Sequence, residues 1–351
     1  MKKLLSLYSA VPLILVLVLV SCAKKIFQTA YPTLSDGRYD SEFPYKSCSK
    51  ELQEISESVN RVFCNSLYKS YSFSLEQKII PTSITDRLLA TASAVTDIKT
   101  TVSGTATVIY AQDNRLALLT CAHVVLKPDT LISYFAPDAN SPEKFIQTVA
   151  IKQQNQILVA KMPEDGLFEV LLADEHADIA ILGKKLKFPV AAGISVLNYP
   201  FGNARELEWG SFVYVIGYPM GYKLISKGIV SQPDRDKKGG FLTDVLFNPG
   251  LSGGILLAVR DGVPNFEVVG ITTSAAAELE TVLVPERGKN YDETVPYQGK
   301  IYVTSKKTIS YGITKAISAE SILELIRENR EYLLKSGYDF EILIEPRPIR
   351  M

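Results

Sequence analysis

Asn248-Pro249-Gly250-Leu251-Ser252-Gly253-Gly254 is the stretch on which the reading of this chain turns. A Gly two residues before a Ser lets the main chain bend so that two N–H groups, those of Gly250 and Ser252, point into one space. That is how an oxyanion hole is assembled from backbone. The two glycines after Ser252 let another chain approach without a Cβ in the way. On its own such a segment is more often an ordinary loop than a site. It also lacks the βαβ surroundings of an α/β-hydrolase nucleophile elbow. A serine nucleophile needs a base, and the base needs an orienting group.

The chain has 351 residues and only two of them are His. Imidazole chemistry therefore runs through His123 or His176. His123 lies in Leu119-Thr120-Cys121-Ala122-His123-Val124-Val125, at the end of an apolar strand beside small residues. From there it can project into a cleft and accept a serine proton. The same placement also suits a core histidine whose ring is satisfied. His176 reads as a surface loop residue. Asp178 stands at the mouth of Ile179-Ala180-Ile181-Leu182, where a buried carboxylate could hold His123 in one tautomer. Asp165 and Asp174 are rivals, but neither leads directly into such a strand.

The flanking segments add to these three. Residues 103–109 (Ser-Gly-Thr-Ala-Thr-Val-Ile), the turn Gly217-Tyr218-Pro219-Met220-Gly221, Gly228-Ile229-Val230-Ser231, Thr243-Asp244 and Val269-Gly270-Ile271-Thr272 occur in order along the chain, followed by Tyr311-Gly312-Ile313 and a helix. Together with the order His…Asp…Ser they resemble the trypsin-like serine proteases, and within them the HtrA (Deg) branch. The resemblance covers about residues 88–335.

This resemblance implies an all-β fold, a chymotrypsin-like double β-barrel. It implies His123 as general base and then acid, Asp178 as its orienter and Ser252 as nucleophile, with the N–H groups of Gly250 and Ser252 as the oxyanion hole. The reaction would be acyl transfer to Ser252 and hydrolysis of the acyl-enzyme. Leu246, six residues before the nucleophile, would form the floor of the primary substrate pocket, with Ile271 on its wall and Val245 and Phe247 beside it. That floor carries no carboxylate, which points to apolar side chains before the scissile bond rather than Arg or Lys. No metal and no cofactor is implied.

Departures from the family pattern matter as well. Leu251 occupies the position where digestive members carry the Asp that pairs with a freed N-terminus, so zymogen-type activation is not expected; HtrA members commonly carry Asn there. About 15 residues follow the closing helix, too few for a PDZ domain. Trimer formation does not carry over, and a homo-oligomer stays open. The separation of 55 positions from His123 to Asp178 suggests an extra hairpin.

Outward from this region, the chain divides into five parts. Lys2 and Lys3 precede a charge-free run from Leu4 to Val20, which ends Leu19-Val20-Ser21-Cys22. This is the layout of a secretory signal closed by a lipobox, so residues 1–21 read as a signal peptide and Cys22 as the lipidated first residue. A single transmembrane anchor is the alternative, since a charge-free, largely apolar run of 17 residues nearly spans a bilayer. Either way the protein faces out of the cytoplasm, into the periplasm of a bacterial envelope. Ala23, where retained lipoproteins carry Asp, favours the outer membrane. Residues 22–46 read as a tether and 47–87 as a helical N-terminal extension, because Leu52, Ile55, Val59, Val62, Phe63 and Leu67 recur at three- and four-residue steps. One helix from Cys48 to Cys64 would hold the two thiols about 24 Å apart, which forbids a disulfide. Residues 88–340 form the protease-like domain. Short strands are expected at 104–110, 116–120, 145–151, 156–161, 168–172, 179–182, 212–216, 228–231, 268–272 and 301–303. A helix from 319 to 336 is capped by Ser318, stopped by Gly337 and buries Ile322, Leu325, Ile326 and Leu333. Residues 341–351 are a tail.

Composition excludes several classes. Lys+Arg and Asp+Glu both number 38, so the electrostatic footprint of a nucleic-acid binder is missing. Four scattered Cys and two His cannot build a zinc ribbon or finger. The expected partners are polypeptide substrates and, through Cys22, a lipid membrane. Two other functions compete: a catalytically silent binding or sensing lipoprotein on the same fold, and an esterase.

Overall fold

The structure is a computed structural model that describes residues 32–81, 84–135, 144–190, 193–285, 292, 294–299 and 301–344. The segment expected to be a signal peptide, Cys22 and the first part of the expected tether lie outside the described residues.

Among the described residues, thirteen strands make two closed barrels. The first uses β1 (Val59–Ser72), β2 (Ala94–Gln112), β3 (Arg115–Thr120), β4 (Thr130–Tyr134), β5 (Ile146–Val159), β6 (Leu167–Asp174) and β7 (Ile179–Lys185). They run in the order β1-β2-β3-β7-β6-β5-β4, and a β1–β5 pairing closes the ring, which leaves β4 as an extra strand on β5. The second uses β8 (Phe212–Gly217), β9 (Leu224–Gln232), β10 (Phe241–Thr243), β11 (Ile255–Val259), β12 (Phe266–Pro285) and β13 (Ile301–Ser318), closed as β10-β13-β12-β11-β8-β9.

Side-chain alternation explains why the barrels pack on each other. In β8, Val213 and Val215 fill the second barrel together with Val230, Phe241, Leu256 and Ala258. The intervening Phe212, Tyr214 and Ile216 join the larger cluster that includes Leu118, Ile181 and Val62 of the first barrel. Such strands are buried on both faces and read as unbroken apolar runs.

The helical reading of residues 47–87 is corrected. Helix α1 (Ser49–Glu57) lasts nine residues, and β1 follows at once as a barrel stave. From Val62 to Ser70 every second residue is buried, so the true period is two. The apolar steps of three and four blur this, whereas the Val, Phe and Tyr content favours a strand. The domain boundary placed at residue 88 therefore cuts through the first barrel. Cys48 and Cys64 are both free; the Cys48 thiol lies 3.6 Å from the Tyr214 hydroxyl, and the Cys64 thiol donates to Asn155 Oδ1 at 3.0 Å.

Other boundaries also move. The strands expected at 145–151 and 156–161 are one continuous β5. The extra hairpin between His123 and Asp178 is β4 with the start of β5. Short helices α2 (Asp86–Leu89) and α3 (Ala122–Val125) interrupt the first barrel. The closing helix is two pieces, α4 (Ala319–Glu328) and α5 (Arg330–Lys335), separated at Asn329, and α6 (Glu341–Ile344) follows. Ser318 does cap α4, its side chain accepting the Ser321 N–H. Ile322, Leu325, Ile326 and Leu333 are buried, as expected.

Candidate active site

His123 sits in α3, the single turn that follows β3. Asp178 closes the turn between β6 and β7, and that turn has a local cause. Asp174 Oδ1 accepts the N–H groups of His176 and Ala177, which bends the chain back on itself. Asp178 then takes a positive φ of 58° and enters β7 with its carboxylate against His123. Asp174 is thus a turn residue, and Asp165 pairs with Lys184 at 2.5 Å. Neither rival reaches the histidine.

The carboxylate grips His123 at two levels. His123 Nδ1 lies 2.8 Å from Asp178 Oδ2, and the His123 backbone N–H donates to Oδ1 at 2.9 Å. Thr273 Oγ1, on β12, donates to Oδ2 as well. Burial alone would raise the Asp178 pKa, but the His123 ring, Thr273 and the His123 N–H stabilise the anion and hold its carboxyl below the usual range. An ionised Asp178 fixes the tautomer of His123 with the proton on Nδ1, leaving Nε2 as an acceptor. That nitrogen is 3.0 Å from Ser252 Oγ. His123, Asp178 and Ser252, drawn from three distant segments and from both barrels, form one chain of hydrogen bonds.

The loop that carries Ser252 is fixed from below. Gly250 has φ +99°, and a Cβ there would stand 2.5 Å from the Tyr218 carbonyl, so glycine is required. Two carbonyls of the loop are held on its protein side. The Pro249 C=O accepts the Met220 N–H at 2.8 Å, and the Leu251 C=O accepts from Gly254 N–H at 2.8 Å and Thr272 Oγ1 at 2.7 Å. Across a planar trans peptide the N–H points opposite to the C=O. The N–H groups of Gly250 and Ser252 are accordingly turned away from those partners, as donors for an oxyanion must be.

Thr105 and Thr273 are site residues that sequence reasoning missed. Thr105 on β2 lies within the quoted opening strand, and Thr273 directly follows the quoted Thr272; a hydroxyl next to each segment was the available signal. Thr105 donates its backbone N–H to the Ser252 C=O at 2.8 Å and its hydroxyl to the Gly250 C=O at 2.8 Å. The Thr273 carbonyl oxygen lies 3.0 Å from Ser252 Oγ, a second acceptor beside His123 Nε2.

Leu246, expected at the floor of the primary pocket, presents its side chain to solvent. It is 61% exposed, whereas Val245 and Phe247 on either side are buried. Residues 243–247 alternate in burial as an extended segment does, and this register turns Leu246 to solvent. Ile271 is fully buried and pairs with Ile255 of β11. Asp244 engages the Ile229 N–H through Oδ1 at 2.7 Å.

Cys121, His123 and Asp178 each place a donor atom within 4.8 Å of the others. The chemistry of this set is poor for a cation. Burial and the neighbouring Asp178 push the Cys121 thiol well up, so it keeps its proton and donates to the Thr272 carbonyl. The His123 and Asp178 donor atoms are spent on each other.

Residues 104–271 match the family model described as a trypsin-like peptidase domain. A serine endoprotease from Yersinia pestis is similar in crystal structure, with a TM-score of 0.40 and 18% identity over 85% of this chain and 70% of that one. The crystal structure of Rv3671c protease in its inactive form is similar with a TM-score of 0.38 and 16% identity, over 82% of this chain and 97% of that one. No curated protein sequence matches the chain.

Proposed function

We propose that this chain, whose residues 104–271 belong to the trypsin-like peptidase family, is a membrane-anchored serine endopeptidase acting on unfolded or exposed polypeptide. The observation that carries the reading is His123 bridging Asp178 and Ser252 at 2.8 and 3.0 Å. His123 takes the Ser252 proton as Oγ attacks the substrate carbonyl, then returns it to the leaving amine. Asp178 stabilises the imidazolium formed in between. The N–H groups of Gly250 and Ser252 receive the oxyanion. Water, deprotonated by His123, then releases the acyl group from Ser252.

Side chains before the scissile bond are apolar in this reading. The segment Val245-Leu246-Phe247 leading to the nucleophile carries no carboxylate, and Asp244 before it is held by the Ile229 N–H. A buried Lys or Arg there would lack a counter-ion. The anchor is a lipid on Cys22, supported by the Leu19-Val20-Ser21-Cys22 sequence.

A fluorophosphonate probe tests the chemistry. Ser252 is expected to be labelled, and Ser252→Ala or His123→Ala to lose turnover by several orders of magnitude, as members of one unit do. An unlabelled protein would be a silent binding lipoprotein, and labelling without digestion of an unfolded protein would indicate an esterase. Cys22→Ala is expected to release the protein from membranes. Retention there, insensitive to globomycin, would mean a transmembrane helix instead.

A further inference from the structure

β12 and β13 do not stop at the barrel. They stay paired from Gly270 opposite Ser318 to Pro285 opposite Ile301. β11 leaves β12 after Ile271, and β10 leaves β13 at Thr314. Among the described residues, positions 277–285 of β12 therefore have β13 on one edge and no strand on the other. The arm is about 30 Å long at about 3.4 Å per residue. A lone two-stranded ribbon is marginal in water, and an open edge is a template for another chain. This ribbon also exposes Leu279 at 77%, Leu283 at 70% and Val303 at 70%. Leu279 and Leu283 share a face by parity, and Val303 stands opposite Leu283.

The root of the arm lies in the catalytic centre. Thr273 sits at an irregularity, between Thr272 opposite Ala316 and Ser274 opposite Lys315. Its carbonyl oxygen faces Ser252 Oγ at 3.0 Å. The edge of β12 that looks onto the nucleophile is thus the edge that β13 leaves open, and the same edge runs out along the arm.

We propose that the open edge of β12 from residue 277 to residue 285 is an extended docking strand for the polypeptide substrate. The inference rests on the endopeptidase reading above. β12 runs away from Ser252, and every strand pair in both barrels is antiparallel. A substrate paired antiparallel to it runs toward Ser252. The arm therefore holds the part of the substrate N-terminal to the scissile bond, up to about nine residues beyond those next to the nucleophile. Main-chain hydrogen bonds supply the affinity, and alternate apolar side chains pack on Leu279 and Leu283. Only an unfolded, extended segment can present such a strand.

The test uses peptides that share one cleavage region and carry 4, 8 or 12 upstream residues of alternating Val and Ser. Their affinity is read by fluorescence anisotropy on the full chain bearing Ser252→Ala, and their kcat/KM on the unaltered chain. Affinity is expected to rise about 10–100-fold from the shortest peptide to the longest, with the gain in kcat/KM residing in KM. N-methylation of alternate upstream amides should remove the gain, and the same change downstream should not. Leu279→Ser with Leu283→Ser should bring the 12-residue peptide down to the 4-residue one, at an unchanged melting temperature. A flat length profile, or dependence on the downstream side, overturns the proposal. So does a dimer that the double substitution dissociates while the length dependence stays, since the arm would then serve a second copy of the chain. A failure of Ser252 to react with the fluorophosphonate, alongside length-dependent binding, would instead count against the endopeptidase reading and leave the docking strand standing.

Discussion

The Thr105 hydroxyl donates to the Gly250 carbonyl at 2.8 Å while accepting the Tyr218 N–H at 2.9 Å. A strand of the first barrel thereby fixes the peptide that follows the oxyanion glycine in the second. Thr105 is fully buried, so the carbonyl has no water to turn to. Thr105→Val would leave it unsatisfied, at a cost of about 1–3 kcal/mol that the loop can relieve by turning. The expected result is a kcat about 10–100-fold lower with KM nearly unchanged, restored by Thr105→Ser. Steady-state kinetics on an activated ester check it. A Thr105→Val enzyme with normal kcat would mean that the loop is held without this bond.

Asp178 predicts an acid limb. Its folded pKa lies below the ordinary value of about 3.9. The stabilisation it contributes is therefore complete above about pH 4, and is lost as pH falls through the folded pKa beneath that. Asp178→Asn should flatten this part of the acid unfolding curve. It should also lower kcat by about 10³–10⁴ at pH 7, because the amide cannot hold the same imidazole tautomer. Urea melts between pH 2 and 7 together with kcat measure both, and an unaltered acid limb would contradict the assignment.

Asp40 predicts the opposite sign. Burial raises its pKa to about 6 against the Gly262 N–H, which lowers it, and Glu42, Asp261 and Asp36 add to the rise. Between about pH 3.9 and about 6 the folded chain binds more protons than the unfolded one. Stability attributable to this group therefore falls as pH rises through that window and stays low above it. Asp40→Asn keeps an acceptor for Gly262 and removes the charge. Its melting temperature should exceed that of the unaltered protein by about 2–4 °C at pH 8, with the gap closing near pH 4. An equal gain at both pH values would point to packing instead.

Leu246 predicts a null result for specificity. Because the side chain stands in solvent, Leu246→Asp should not create cleavage after Arg or Lys on a peptide library. A gain of more than about tenfold after basic residues would place position 246 under a pocket after all.

The grouping of His123, Asp178 and Ser252 was legible because the chemistry that would use it restricts the choices. With two histidines in the chain, only one of them closing an apolar strand, the base was nearly determined. Asp178 stood out by leading straight into a buried strand. The N-terminal extension was not legible in the same way. Leu52 and Ile55 belong to a true helix, while Val59 and Val62 continue the three-residue step into a strand whose inward residues include Asn60, Ser66 and Ser70. Polar residues on the buried face hid the period of two. For Leu246, counting back from the nucleophile gives a position along the chain but not the face to which it turns, and that face is open to solvent. Thr105 and Thr273 act across the two barrels, and such contacts leave no spacing in the sequence.

β1 pairs with β5, almost a hundred residues later, and only that pairing closes the first barrel. The second barrel waits for β13, near the end of the chain. His123 and Asp178 come from the one and Ser252 from the other, so during synthesis the reactive centre is the last thing to be assembled. Until then the emerging polypeptide is itself an unfolded chain of the kind this enzyme is proposed to cut. A chain in which β13 has not yet paired therefore lacks the closed second barrel that holds Ser252 against His123.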